Sequence, residues 1–184
     1  DEANELREEG NGICIQGKQM DFTYRNGRTV FEKADFTVNP GEIVAVVGPS
    51  GEGKTTLLRL LLGVVSVQSG TLTVSADGSK DEIPISAATR KLFSYVPQDN
   101  TLFAGTVAEN LRLVKKDATD EELNEALRIA CAYNFVHRSP LGLNRPVKEQ
   151  GGGFSEGQLQ RLSIARALLA NAPVLLLDEA TSAL

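Results

Sequence analysis

The chain has 184 residues, of which 41% are hydrophobic and 23% are charged, and its formal net charge is −5. These values are ordinary for a globular protein with one substantial core. The acidic balance argues against a general affinity for nucleic acid, because phosphate binding needs a basic face. No stretch approaches the ~18 consecutive apolar residues that a membrane-spanning helix needs. The two cysteines lack a CxxC spacing, so neither a zinc site nor a disulfide framework is predicted.

The first twelve residues are acidic and end in Gly10-Asn11-Gly12, which predicts a solvated linker over residues 1–12. Strand-like segments follow. Alternation of apolar and polar residues predicts half-buried antiparallel strands at 20–24, 36–38 and 72–74. Two other short runs, at 43–47 and 174–177, are continuously apolar, which is typical of parallel strands covered on both faces.

Helices are predicted between these strands. A helix from Thr56 to Leu62 follows directly on the first continuously apolar run. Capping boxes, in which Ser or Thr precedes Glu or Gln by three positions, predict helix starts at Thr106, Thr119 and Ser155. The last of these helices is expected to run to about Ala170. The region from about 99 to 168 is therefore predicted to be a mostly helical insertion in an α/β core.

One glycine-rich segment predicts phosphate binding. Gly48-Pro49-Ser50-Gly51-Glu52-Gly53-Lys54-Thr55 matches G-x-x-x-x-G-K-[ST] at every fixed position, between a predicted strand and a predicted helix. The glycines let successive backbone N–H groups converge on one anion, with the positive end of the helix behind them. Lys54 is expected to reach the β- and γ-phosphates, and the Thr55 hydroxyl to ligate Mg²⁺. The predicted nucleotide-binding set extends to Thr56.

A second segment complements this loop. The apolar run at 174–177 ends in Asp178 and Glu179, which places carboxylates at the carboxyl end of a core strand, where α/β sheets bind ligands. Asp178 is expected to hold Mg²⁺ through water, and Glu179 to polarise the water that attacks the γ-phosphate. Strands often end in acids, so this pattern is informative only beside the phosphate loop. Together the two segments indicate a P-loop NTPase.

A third segment narrows the class. Phe154-Ser155-Glu156-Gly157-Gln158-Leu159-Gln160-Arg161, upstream of Glu179, resembles the LSGGQ signature of the ABC ATPases. Tyr24 resembles the aromatic residue that stacks on adenine in that family, and Gln98 resembles its Mg²⁺-sensing Q-loop glutamine. Residues 180–184 resemble the beginning of the D-loop. The resemblance begins at about residue 13 and extends to the last residue.

The resemblance implies roles for specific residues. Glu179, Gln98 and Lys54 are expected to be catalytic, and Thr55, Gln98 and Asp178 to hold Mg²⁺. The expected ATP-binding residues are Tyr24, Gly48, Pro49, Ser50, Gly51, Glu52, Gly53, Lys54, Thr55, Thr56, Ser155, Gly157 and Gln158. In the family, the signature helix faces the γ-phosphate bound by a second ABC ATPase domain, so ATP is held between two copies.

The family fold implied is a RecA-like P-loop core with an antiparallel β sub-domain and an inserted helical sub-domain. The predicted ATPase domain is 13–184, in which 13–98 and 169–184 form the core and β sub-domain, and 99–168 forms the helical sub-domain with the signature. Only seven residues follow the strand predicted at 174–177, so the domain is expected to be truncated at its C-terminus.

Two segments resemble the exporter branch of the family. Residues 100–111 are similar to the stretch after the Q-loop in exporters, and residues 147–151 resemble the X-loop that touches the transmembrane coupling helices. The expected partners are therefore a second ABC ATPase domain, identical or paralogous, and a transmembrane permease domain on the same polypeptide. The expected location is the cytoplasmic side of the cell membrane, and no nucleic-acid partner is expected.

Two alternatives remain open at this point. A soluble ABC ATPase acting on chromosomes or ribosomes is disfavoured by the exporter-like segments and the acidic balance. A degenerate domain that only binds ATP is disfavoured by Glu179. Glu156 replaces the usual first glycine of the signature and leaves the second alternative open; its side chain is expected to point away from the phosphate. His137, the only histidine, is expected to be a surface residue of the helical region.

Overall fold

The computed structural model describes residues 2–8, 12–49, 53–99, 101–148 and 152–178. The chain forms two compact units, Asp1–Phe93 and Ser94–Leu184. Each unit has its own secondary structure and its own buried side chains. The sub-domain boundaries derived from the sequence stay predictions.

An antiparallel sheet is the main feature of the first unit. Its strands are β1 (Ile13–Thr23), β2 (Thr29–Val38), β3 (Ser69–Ala76) and β4 (Ile83–Pro84), in the order β2-β1-β3-β4. β1 is the longest strand and pairs with both β2 and β3. Alternate side chains of β1, among them Ile13, Ile15 and Phe22, are buried, as the alternating sequence requires. The predicted antiparallel strands at 20–24, 36–38 and 72–74 are confirmed, apart from Tyr24, which follows the last residue of β1.

Two helices and a 3₁₀ turn complete the first unit. They are α1 (Glu2–Glu8), α2 (Lys54–Leu61) and a turn over Ala88–Leu92. The helix predicted from Thr56 to Leu62 is α2, which begins two residues earlier. α1 packs against the 3₁₀ turn and buries Ala3 and Leu6. The expectation of a solvated linker is therefore wrong for this helix, because two apolar residues three positions apart give it one face to bury.

The predicted strand at 43–47 does not form. These residues have no regular secondary structure, and Ile43 and Val47 are 101% and 87% exposed. Among the described residues, no strand pairs with this segment. A central strand gains its hydrogen bonds and its apolar cover from neighbouring strands and helices. An apolar run becomes a buried strand only where other parts of the chain provide these neighbours. The prediction of a buried strand is therefore wrong here.

Helices dominate the second unit. They are α3 (Val107–Arg112), α4 (Asp120–Ile129), α5 (Tyr133–His137) and α6 (Glu156–Leu169), with a 3₁₀ turn at Gly142–Asn144. Their core includes Leu111, Leu123, Leu127, Val136 and Leu162, each at most 1% exposed. α6 packs against both α3 and α4. A short antiparallel pair, β6 (Gly105–Thr106) and β7 (Pro146–Val147), lies beside α3.

All three predicted capping boxes are confirmed. In α3, α4 and α6 the hydroxyl of Thr106, Thr119 or Ser155 accepts a hydrogen bond from the backbone N–H three residues on. The Glu or Gln at that third position accepts from the backbone N–H of the cap in return. Each box satisfies N–H groups that a helix start otherwise leaves unpaired, so these three starts are set by local hydrogen bonds. The predicted end of α6 near Ala170 is also confirmed.

The predicted strand at 174–177 forms, but it is not covered on both faces. It is β8 (Val174–Leu177), paired with β5 (Phe93–Val96) in a two-stranded sheet. Leu176 is buried, whereas Leu175 and Leu177 are 39% and 45% exposed. A sheet of two strands shields few side chains on its second face. The strand prediction is confirmed, and the expectation of burial on both faces is wrong.

Candidate functional site

The phosphate loop leads directly into helix α2. Ser50, Gly51 and Glu52 lie outside the described residues, whereas Gly48, Pro49 and the segment from Gly53 onward are described. Gly53 is the N-cap of α2 and has φ +106°, a backbone conformation that favours glycine. A Cβ at this position would lie 2.6 Å from Cγ1 of Val30. Backbone conformation and close packing therefore both require glycine here.

Lys54 folds back over the beginning of the same loop. Its Nζ donates hydrogen bonds to the carbonyl oxygens of Gly48 and Pro49, at 2.6 and 2.7 Å. Thr55 follows on the exposed side of the first turn, and Thr56 is buried. Because Gly53 has no side chain, the N-cap residue itself occupies none of the first-turn N–H groups. A cation and helix N–H groups thus lie at one end of α2, which suits a phosphate.

Tyr24 is joined to that turn of α2. Its hydroxyl is 2.8 Å from Oγ1 of Thr56, which is only 5% exposed. Its half-buried ring meets the ring of Phe22 edge to face, with the centroids 5.0 Å apart. The structure therefore brings Tyr24 together with the helix that carries Lys54 and Thr55. The role of the ring in stacking on adenine stays a prediction.

Asp178 lies at the end of β8 in the second unit and is 8% exposed. Its backbone N–H donates to the carbonyl of Val96 at 2.9 Å. The hydroxyl of Tyr95, on the paired strand β5, donates to Oδ2 of Asp178 at 3.1 Å. No sequence pattern points to Tyr95 as a site residue, because only the pairing of two strands far apart in the chain places it beside Asp178.

The other predicted residues of this region are described only in part. Gln98 is exposed two residues beyond the end of β5. Glu179 and the D-loop-like residues 180–184 lie outside the described residues, as do Asn100 of the 100–111 segment and residues 149–151 of the X-loop-like segment. The catalytic role of Glu179 therefore stays a prediction.

The signature segment forms the start of the longest helix. Ser155 is the N-cap of α6: its hydroxyl accepts from the N–H of Gln158 at 3.3 Å, and Oε1 of Gln158 accepts from the N–H of Ser155 at 3.0 Å. Gly157 is half-buried and Glu156 is exposed. The fourteen-residue helix presents its positive end at Ser155. Contact of Ser155, Gly157 and Gln158 with a nucleotide stays a prediction, as does the direction in which Glu156 points.

His137 is a surface residue, as predicted. It is exposed at the end of α5, and its Nε2 is 2.8 Å from Oδ1 of Asn124. Its ring also lies against that of Tyr133, with 4.2 Å between the centroids. Through these contacts His137 takes part in the packing between α4 and α5.

The chemistry of the predicted metal ligands suits Mg²⁺. Thr55, Gln98 and Asp178 offer hydroxyl, amide and carboxylate oxygens, the donors that this hard cation prefers. Asp178 is nearly buried, and within the described residues no Lys or Arg forms an ion pair with it. A divalent cation would compensate the charge of this nearly buried carboxylate. The described residues contain no group of three or more His, Cys, Asp or Glu side chains arranged for a metal.

Within the parts of the chain that are described, none of the helices combines the length and the apolar character needed to cross a bilayer.

The glycine-rich segment that leads into α2 is typical of P-loop ATP-binding domains. The sequence model of the family described as "ABC transporter" matches residues 31–182. The chain belongs to the ABC transporter family and is one of its ATP-binding domains, a class of domain that hydrolyses ATP. The predicted fold class, a P-loop α/β domain, is confirmed at this level.

Three relatives illustrate the similarity in sequence. The chain is 38% identical over 189 residues to the uncharacterized ABC transporter ATP-binding protein YfiC of Bacillus subtilis, covering 99% of this chain and 31% of that protein. It is 41% identical over 170 residues to the mitochondrial iron-sulfur clusters transporter ATM1 of Debaryomyces hansenii, covering 92% and 24%. It is 42% identical over 173 residues to the ATP-dependent permease MDL1 of Candida albicans, covering 92% and 25%.

A solved structure of a bacterial Atm1-family ABC exporter with ATP bound is also similar. The TM-score is 0.82 with 35% sequence identity, and the match covers 95% of this chain and 30% of that one. The chain therefore spans less than a third of the length of each of these relatives.

Proposed function

We propose that this chain is the ATP-hydrolysing motor domain of an ABC exporter. The complete capping box at Ser155 carries the proposal. It makes the signature segment the start of α6, and a helix start is the end that can face the phosphates of a nucleotide. The similarity to an ATP-bound exporter structure supports the exporter assignment, as do the exporter-like segments at 100–111 and 147–151.

ATP binding begins at α2. The first-turn N–H groups and the Lys54 ammonium hold the β- and γ-phosphates, so the negative charge lies where the helix is positive. The ring of Tyr24, held on Thr56 at 2.8 Å, stacks on the adenine. Stacking recognises a π-face without reading hydrogen-bonding edges, so discrimination between purines is weak.

Hydrolysis needs a metal site and a group that activates water. Thr55, Gln98 and Asp178 would hold Mg²⁺, which when bound neutralises charge on the transferring phosphoryl group. Tyr95 fixes one carboxylate oxygen of Asp178. Glu179 polarises the attacking water and accepts its proton.

Two copies of the domain complete each site. The start of α6 in one copy, with Ser155, Gly157 and Gln158, faces the γ-phosphate held by the other copy, so ATP stabilises the dimer. The partner copy is identical or paralogous. A transmembrane permease domain on the same polypeptide converts the closing and opening of this dimer into transport, and holds the domain at the cytoplasmic side of the membrane. No nucleic acid takes part.

The test separates ATP binding from hydrolysis in the full-length protein. Glu179→Gln keeps ATP affinity and lowers the rate of phosphate release by about 10²–10⁴-fold, the usual contribution of a positioned general base. It also accumulates the ATP-bound, closed dimer, measured by size-exclusion chromatography or crosslinking. The matched control is Glu121→Gln on α4, where the glutamate pairs with Arg128 at 3.4 Å and lies far along the chain from the signature. A Glu179→Gln protein that hydrolyses ATP at the normal rate contradicts the assignment.

A further inference from the structure

Arg145 has its main chain fixed at the start of α3. Its N–H donates to the carbonyl of Gly142 at 3.0 Å, and its own carbonyl accepts from the N–H of Val107, the first residue of α3, also at 3.0 Å. The next residue, Pro146, begins β7, which pairs with β6. The Arg145 side chain therefore projects from a backbone that is held on both sides.

The guanidinium of Arg145 bridges two distant carbonyls. Nη1 donates to the carbonyl oxygen of Phe135 in α5 at 2.8 Å, and Nη2 donates to that of Gly153 at 2.6 Å. Cζ lies 4.0 Å from the centroid of the Phe154 ring. That ring meets Phe135 edge to face, with 6.0 Å between centroids and 70° between the planes. Phe154 is thus held between a cation and an aromatic edge.

These contacts fall on the two residues directly before the signature N-cap. Gly153 has φ +99°, so the chain turns sharply just ahead of Ser155. A backbone hydrogen bond from the N–H of Lys148 to the carbonyl of Gly152, at 3.2 Å, lies one residue further from the helix. The capping box fixes Ser155 relative to α6, but it does not fix the path by which the chain enters the helix. The contacts of Arg145 with Gly153 and Phe154 lie on that path.

We propose that Arg145 is a positioning residue for the signature segment, holding Gly153 and Phe154 so that Ser155 and the N–H groups of α6 face the nucleotide of the partner copy. This inference rests on the proposed function. Lysine cannot replace Arg145, because one ammonium cannot form a planar fork to two carbonyls and stack on a ring at the same time. No motif in the sequence pointed to this residue.

The experiment compares Arg145→Ala and Arg145→Lys with the wild-type full-length protein. The first readout is amide hydrogen exchange of a peptide covering 152–158, which is expected to become about tenfold faster or more in both variants because charge-assisted hydrogen bonds are lost. The second is ATP hydrolysis: kcat is expected to fall about tenfold or more, while the KM for ATP changes little, because the phosphate loop is untouched.

The matched control is Arg128→Ala. Arg128 also lies over an aromatic ring, 4.8 Å from the centroid of Tyr133, and bonds Glu121 and Glu125, but it does not touch the signature segment. The control substitution removes the same charge and the same kind of stacking, and is expected to leave both readouts unchanged. Phe154→Leu removes only the ring contact and is expected to fall between Arg145→Ala and wild type.

Each outcome decides the proposal. Unchanged exchange at 152–158 in Arg145→Lys, or a kcat no lower than that of Arg128→Ala, overturns it. If Arg145→Ala does not fold, Arg145→Lys and Phe154→Leu decide the question by the same two readouts. A wild-type protein without ATPase activity counts against the proposed function instead, and the exchange measurement still decides whether Arg145 holds the segment.

Discussion

Tyr24 has two roles that substitutions can separate: its hydroxyl bonds Thr56, and its ring is proposed to stack on adenine. Tyr24→Phe removes the hydroxyl that lies 2.8 Å from Oγ1 of Thr56, and that oxygen belongs to a side chain only 5% exposed. Leaving a buried polar group without its partner costs about 1–3 kcal/mol, and the half-exposed tyrosine places this bond near 1 kcal/mol. The ring and its edge contact with Phe22 at 5.0 Å remain. The free energy of unfolding therefore falls while the adenine-stacking surface is kept.

Tyr24→Ala removes the ring as well. Base–aromatic stacking is worth about 1–3 kcal/mol, so the Kd for ATP is expected to rise about 5- to 150-fold in Tyr24→Ala and to change little in Tyr24→Phe. Denaturant unfolding without nucleotide measures the first effect, and calorimetric ATP titration measures the second. Tyr24→Phe is expected to change the free energy of unfolding but not the Kd for ATP, whereas Tyr24→Ala is expected to change both.

A double-mutant cycle with Thr56→Val isolates the hydrogen bond. Valine keeps the branched shape of threonine and removes the hydroxyl, so the two single variants each lose the bond and the double variant loses it only once. The expected coupling energy in unfolding is about 1 kcal/mol. A coupling energy near zero would show that the two hydroxyls do not bond, and the proposed anchoring of the ring on α2 would have to be abandoned.

Three further predictions test the site. Gly53→Ala is expected to lower the free energy of unfolding by about 2–4 kcal/mol, because positive φ and overpacking both oppose a Cβ there. Gly27 has φ +83° and open space around it, so Gly27→Ala is expected to lower the free energy of unfolding by only about 1–2 kcal/mol. Equal losses in the two variants would refute the packing argument. Lys54→Ala is expected to abolish ATP binding in calorimetry, and unchanged affinity would remove this loop from the site. Tyr95→Phe is expected to weaken ATP binding in the presence of Mg²⁺ and to leave metal-free binding unchanged, because the carboxylate of Asp178 loses the hydroxyl 3.1 Å away. Equal affinities of the variant and the wild type with Mg²⁺ would contradict the positioning role of Tyr95.

Local patterns were predictable from the sequence where neighbours in the chain supply the interactions. The helix starts at Thr106, Thr119 and Ser155 depend on bonds within four residues, and all three formed as predicted. The alternating segments likewise became strands of one antiparallel sheet. In these cases the periodicity of the side chains and the geometry of the backbone require the same structure.

Features that depend on distant parts of the chain were not predictable in this way. The apolar run at 43–47 was predicted to be a buried strand, but whether such a run pairs depends on strands elsewhere. Tyr95 meets Asp178 only because β5 pairs with β8. Arg145 bonds the carbonyls of Phe135 and Gly153 only when the loop that carries it packs between them. Contacts of this kind are set by tertiary packing, which a pattern in one segment does not encode.

The central claim is that ATP is held between the phosphate loop of one copy and the signature helix of another. In a two-fold symmetric dimer, each composite site takes its loop from one copy and its signature from the other. Co-expression of a full-length Lys54→Ala copy with a full-length Ser155→Arg copy, each inactive alone, places one intact loop opposite one intact signature in every mixed dimer. ATPase activity is expected to return in part in the purified mixed dimer. A mixed dimer as inactive as either variant alone, from an active wild-type protein, would contradict the claim.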